Sequence, residues 1–119
     1  MEIGETLEVA QAAEFGQWLA ANGQSAREIW VVIYKKASGK QTVTYPELVE
    51  TALCYGWIDG LAKSMDAEKW AQRFSPRRKK SHWTETNKAL ARRLIAEGRM
   101  TDAGRAALPP EMRADIQDA

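Results

Sequence analysis

The run WIDGLAKSMDAEKWAQRF, Trp57 to Phe74, decides the fold. Trp57 to Lys63 and Glu68 to Phe74 each alternate apolar with polar residues, the period-two pattern of half-buried strands. Only a short connection, centred on Met65-Asp66-Ala67, lies between them. A connection of that length joins antiparallel strands, so the run predicts a hairpin. Ser75-Pro76 ends its second strand, because proline cannot donate to a ladder.

Working outward, Thr44-Tyr45-Pro46-Glu47 announces a helix before the hairpin. Thr44 can cap it, Glu47 can reach back to the cap amide, and Pro46 fits a first turn that needs no donor. Leu48, Val49, Ala52 and Leu53 form its buried side, and Gly56 closes it in the left-handed conformation. After the hairpin, Ser81 or Thr84 caps a longer helix with Trp83, Asn87, Leu90, Ala91, Leu94 and Ile95 as inner stripe and Gly98 as stop. Thr101 begins a short helix ending at Leu108, since Pro109-Pro110 cannot continue it. Further upstream, Ile29-Trp30-Val31-Val32-Ile33-Tyr34 is short and rich in β-branched and aromatic residues, which predicts a buried strand. Ala12, Phe15, Trp18, Leu19 and Asn22 share one helix face, and Asn22-Gly23 stops it.

The sum is an α+β fold: about four helices packed on a small, mostly antiparallel sheet with a central hairpin. Its 119 residues predict a single domain over 1–119. Residues 1–8 and 110–119 are expected to be disordered fringes. With 45% apolar and 28% charged residues, the chain can form a packed core. No apolar run approaches the roughly 20 residues that span a bilayer. The acidic start, Met1-Glu2-Ile3-Gly4-Glu5, lacks the basic and apolar regions of an export signal, which predicts a cytoplasmic protein. One cysteine cannot form an internal disulfide, and Cys54 with His82 makes a poor zinc set, so no metal or cofactor is expected.

With these pieces placed, the sequence resembles the bacterial YdeI/OmpD-associated family, also labelled bacteriocin-protection. The residues that carry the resemblance are Trp18-Leu19, Trp30 with Tyr34-Lys35-Lys36, and Ala52 through Gly60. Phe74-Ser75-Pro76-Arg77-Arg78, Ser81 to Thr84 with Asn87, Leu94 through Thr101, and Ala103-Gly104 complete them. The GWIDG and F-x-P-R-R pieces are the most specific, and the likeness covers roughly residues 9 to 110. The chain reads as a short form lacking most of the C-terminal region of longer members. The resemblance implies a part in envelope stress and antimicrobial-peptide resistance, with a porin association, and implies no known reaction.

The net charge of +1 conceals an uneven distribution. Residues 69 to 99 carry ten basic against two acidic side chains, whereas residues 1 to 68 carry five against ten. A basic segment inside a neutral chain projects a local positive field. Arg73, Arg77, Arg78, Lys79 and Lys80 form its densest part. Guanidinium and ammonium groups neutralise phosphates, and Trp83 could stack on a base or sugar. Ser81 and Thr84 stand at a helix start, where amides favour an anion. The same charges could equally be a solvated loop.

Asp59 is unusual in a strand, and must be paired or wetted. It reads either as a brace for Arg73 or Arg77, or as part of a mixed-charge pocket. Cys54, near a helix C-terminus, reads as a buried thiol rather than a nucleophile. His82 reads as a partly exposed cap-region residue. The candidate ligand-binding set is therefore Trp57, Asp59, Arg73, Arg77, Arg78, Ser81 and Asn87. Three functions compete: a small binding protein for a nucleotide, nucleic acid or acidic surface; an enzyme with Asp59 as general acid or base; and a stress-response protein-interaction module.

Overall fold

A computed structural model describes residues 2–40, 42–78 and 81–117, with side chains as far as Arg113. In chain order the elements are β1 (Thr6–Glu8), α1 (Ala12–Asn22), β2 (Ile29–Tyr34), a 3-10 turn (Lys36–Ser38) and α2 (Tyr45–Cys54). Then follow β3 (Trp57–Ser64), β4 (Lys69–Pro76), α3 (Glu85–Ala96), α4 (Asp102–Ala106) and α5 (Pro110–Gln117). The fold is α+β, with five helices among the described residues and one four-stranded sheet ordered β1-β2-β4-β3.

The hairpin predicted at Trp57–Phe74 is β3 and β4, antiparallel, and β4 also pairs antiparallel with β2. The sheet is nonetheless mixed, because β1 runs parallel to β2 after a crossover through α1. Within the segment 1–8, Thr6–Glu8 form this β1 strand. The segment 110–119, read as a second fringe, contributes α5.

Local chemistry explains the elements. Thr44 and Glu47 form the capping box of α2, and Pro46 occupies its first turn. Thr84, rather than Ser81, caps α3 by accepting from the Asn87 amide. Gly56 and Gly98 end α2 and the α3 segment with φ of 78° and 74°. At such angles a side chain is strained, so glycine suits both positions.

Two apolar clusters meet at α2. Phe15 and Leu19 of α1, Ile29, Val31 and Ile33 of β2, Leu48 and Ala52 of α2, Trp57 and Phe74 fill the space between helices and sheet. Leu53 and Cys54, on the other side of α2, pack with Ala91, Leu94, Met100, Leu108 and Met112. No helix among the described residues is long and apolar enough to cross a membrane.

One buried polar side chain shapes the hairpin. Asp59 pairs with Phe74 and Ala62 with Gln72, so Gly60 and Leu61 both face Arg73 in a bulge. The Gln72 amide, 2% exposed, donates to the carbonyls of Gly60 (2.9 Å) and Leu61 (3.3 Å). It thereby satisfies groups that the bulge removes from the ladder.

Candidate functional site

Arg77 leaves the end of β4 and is fixed at both ends. Its backbone N–H donates to the Gly56 carbonyl at 2.9 Å, tying the strand end to the glycine turn after α2. Its guanidinium stacks on the Trp83 ring, 4.0 Å from the centroid, and donates from Nη1 to Ser81 Oγ at 3.1 Å. Burial pulls the Arg77 pKa below its ordinary value, and the Asp59 charge partly restores it. Arginine nevertheless stays cationic under any physiological condition. The result is a pre-oriented cation, held without a carboxylate bonded to it among the described residues.

In front of Arg77 opens a cleft of about 610 Å³. Gly23, Gln24 and Ala26 after α1, Tyr55 to Trp57, Pro76 to Arg78, Ala103, Ala106 and Ala107, and Arg113 of α5 form its walls. Three arginines thus contribute to the lining of one concavity whose described lining residues include no carboxylate. The opposing wall is low and apolar. Gly56 lets α4 approach closely, since a Cβ there would stand 2.8 Å from the Ala103 carbonyl oxygen. Trp57 lies against the cleft and is itself buried, with its indole N–H donating to the Gly23 carbonyl at 3.2 Å. Trp18 packs edge-on against it.

Behind Arg77 lies a small space of about 10 Å³, lined by Val49, Leu53, Trp57, Ile58, Asp59, Arg77 and Asn87. The Arg77 Nε atom is buried and has no hydrogen-bond partner among the described residues. A space of this size sits at the lower limit for one water molecule.

The expected residues therefore divide into groups. Trp57, Arg77 and Arg78 line the open cleft. Asp59 and Asn87 stand behind Arg77, and Ser81 beside it. Asp59 accepts a hydrogen bond from the Tyr45 hydroxyl, and burial together with that bond pushes the Tyr45 pKa up to about 12. No ion pair joins Asp59 to Arg73 or Arg77 among the described residues.

Arg73 is the clearest departure. It lies one residue from Phe74 on β4 and so projects from the opposite sheet face, where it pairs with Trp30 in register. There its Nε donates to Glu28 at 2.7 Å, and Glu28 also accepts from the Trp30 indole. Lys79 and Lys80 lie outside the described residues. Cys54 is buried, and burial pushes its thiol up; His82 is exposed on the surface.

Sequence reasoning missed Arg113 and the alanine wall. Ala103, Ala106 and Ala107 recur at helical spacing, a readable stripe of small residues. Arg113 carried no comparable signal, because the segment containing it reads as a fringe. It is held by its Nε donating to the Leu108 carbonyl at 2.9 Å.

Beyond the cleft the basic segment is largely neutralised. Lys88 pairs with Glu85 and Glu111, Arg93 and Arg99 each pair with Glu50 and Glu97, and Arg105 pairs with Asp102.

Comparison with known proteins gives one family. The model of the domain of unknown function DUF8412 matches residues 7–107, and the chain belongs to that family. No curated protein and no solved structure matches.

Proposed function

We propose that the chain is a binding protein for an anionic ligand seated in the arginine-lined cleft. One observation carries the reading: Arg77, Arg78 and Arg113 line a single concavity with no carboxylate among its described lining residues. Cations that served only solubility would stand apart in solvent or pair with acids, as Arg93 and Arg99 do. Stacking and the Ser81 bond hold Arg77 in place before any ligand arrives, which lowers the ordering cost of binding.

Asp59 supports this reading over an acid–base enzyme. It is not among the residues lining the cleft, and it is engaged by Tyr45. The interaction-module reading has less support, since Lys88, Arg93, Arg99 and Arg105 outside the cleft already have acidic partners. The cellular part of the proposal follows the YdeI/OmpD-associated resemblance: a cytoplasmic role in tolerance to antimicrobial peptides. A deletion strain with unaltered peptide sensitivity would remove that part alone.

The molecular test is calorimetric titration of nucleotides, oligonucleotides and organic acids at two salt concentrations. Binding should weaken with salt, because the contacts are charge-assisted and partly exposed. Replacing Arg77 and Arg78 together with alanine should weaken it at least about tenfold, as hydrogen bonds to charged groups contribute about 1.5–3 kcal/mol each. Unchanged affinity in the double variant would sink the reading.

A further inference from the structure

We infer that the ligand is a small phosphate monoester of nucleotide size, with the phosphate held by Arg77, Arg78 and Arg113 and the organic part against the alanine wall. This rests on the anion-binding reading above and narrows it to one chemical class.

Two features separate a small ligand from a nucleic-acid strand. The cleft volume of about 610 Å³ lies within the range of small-molecule sites, about 300–1,000 Å³. A polymer needs a basic track that follows its backbone for several nucleotides. Here Lys88 and Arg93 of α3, Arg99 after it and Arg105 of α4 are each paired with acids.

The charge and geometry then favour phosphate over carboxylate. The three arginines that line the cleft come from separate parts of the chain, two directly after β4 and one in α5. A planar carboxylate offers two oxygens and one charge. A phosphate monoester offers three oxygens and a charge of about −1.5 to −2 near neutral pH. Arginine forks match those oxygens bidentately. The cleft is also far larger than a phosphate ion, and Ala103, Ala106 and Ala107 leave an uncharged surface for an organic body.

The experiment is calorimetric titration of the full chain with AMP, ribose 5-phosphate, adenosine, citrate and a ten-nucleotide oligomer lacking terminal phosphate. AMP and ribose 5-phosphate should bind, adenosine should not, and the oligomer and citrate should be at least about tenfold weaker than AMP. Arg113→Ala should weaken AMP about tenfold, with Arg78→Ala as the second variant should the first fail to fold. Adenosine binding as well as AMP overturns phosphate recognition. Citrate or the oligomer matching or exceeding AMP overturns the monoester class and leaves the anion-binding reading standing. AMP affinity indifferent to both variants places the ligand elsewhere and overturns the assignment. If no anion binds at all, the proposal and the reading beneath it fall together.

Discussion

The Gln72 amide donates to the carbonyls of Gly60, Leu61 and Arg73 from a position 2% exposed. Gln72→Leu would keep the volume but leave those bulge carbonyls without their donor. These are part-buried bonds whose acceptors sit on exposed residues, so Gln72→Leu should lose about 0.5–1.5 kcal/mol, the net worth of a hydrogen bond, in denaturant unfolding. A loss below about 0.5 kcal/mol would mean that water replaces the amide. Tyr45 supplies a pH test. Its pKa rises from 10.0 to about 12 in the fold, through burial and the bond to Asp59. The native state thus keeps a proton that the unfolded chain releases. Its contribution is complete below pH 10 and is lost as pH rises towards about 12. Tyr45→Phe should flatten the fall of stability with pH in that window; Tyr34, raised by Glu8, leaves a residual slope. An identical slope in both proteins would refute the linkage. Arg77 and Arg78 are legible in the sequence as part of a dense basic run, and Asp59 as an aspartate unusual in a strand. The partners are not legible there. Tyr45 is 14 residues from Asp59, and Glu28 is 45 from Arg73.

Among the elements, α4 is where contact and intrinsic propensity make opposite predictions. Alanine is a better helix former than glycine by about 1 kcal/mol, so propensity alone would have Gly104→Ala stabilise. A Cβ at Gly104, however, would stand 2.3 Å from the Cys54 carbonyl oxygen and 2.4 Å from Met100 Sδ. The Cys54 carbonyl is fixed, because it accepts from both the amide and the hydroxyl of Thr101. Overpacking of this kind costs about 1–3 kcal/mol, so Gly104→Ala should lower the thermal midpoint. A raised midpoint would show that α4 can slide away from α2. The same contrast explains which elements were legible. α1, β2, α2 and the hairpin announce themselves through period, caps and turn residues within their own stretch. β1 has three residues and pairs in parallel, so no turn signature marks its partner. α5 gains its place through Met112 entering the second apolar cluster, a contact that only the folded chain supplies.

At the scale of the whole molecule, the cleft lies on the seam between the two apolar clusters. Its β4 wall rests on the sheet cluster through Phe74 and Trp57, while Arg113 rests on the helical cluster through its neighbour Met112. Binding should therefore be sensitive to where the chain is weakened, and not only to how much. Met112→Ala and Ile29→Ala both remove buried atoms, at 1% and 0% exposure, and each should cost about 2–5 kcal/mol. Ile29 belongs to the sheet cluster and is not among the cleft residues. Met112→Ala loosens the anchor of α5 and so the position of one guanidinium. Titrated with the same anion well below both unfolding midpoints, Met112→Ala should bind several-fold more weakly than Ile29→Ala. The free energy lost locally is spent on α5 docking, which the ligand must restore before it can be clamped. Equal affinities in the two variants would mean that α5 contributes nothing to the bound state. The phosphate would then be held from the β4 side alone, by Arg77 and Arg78.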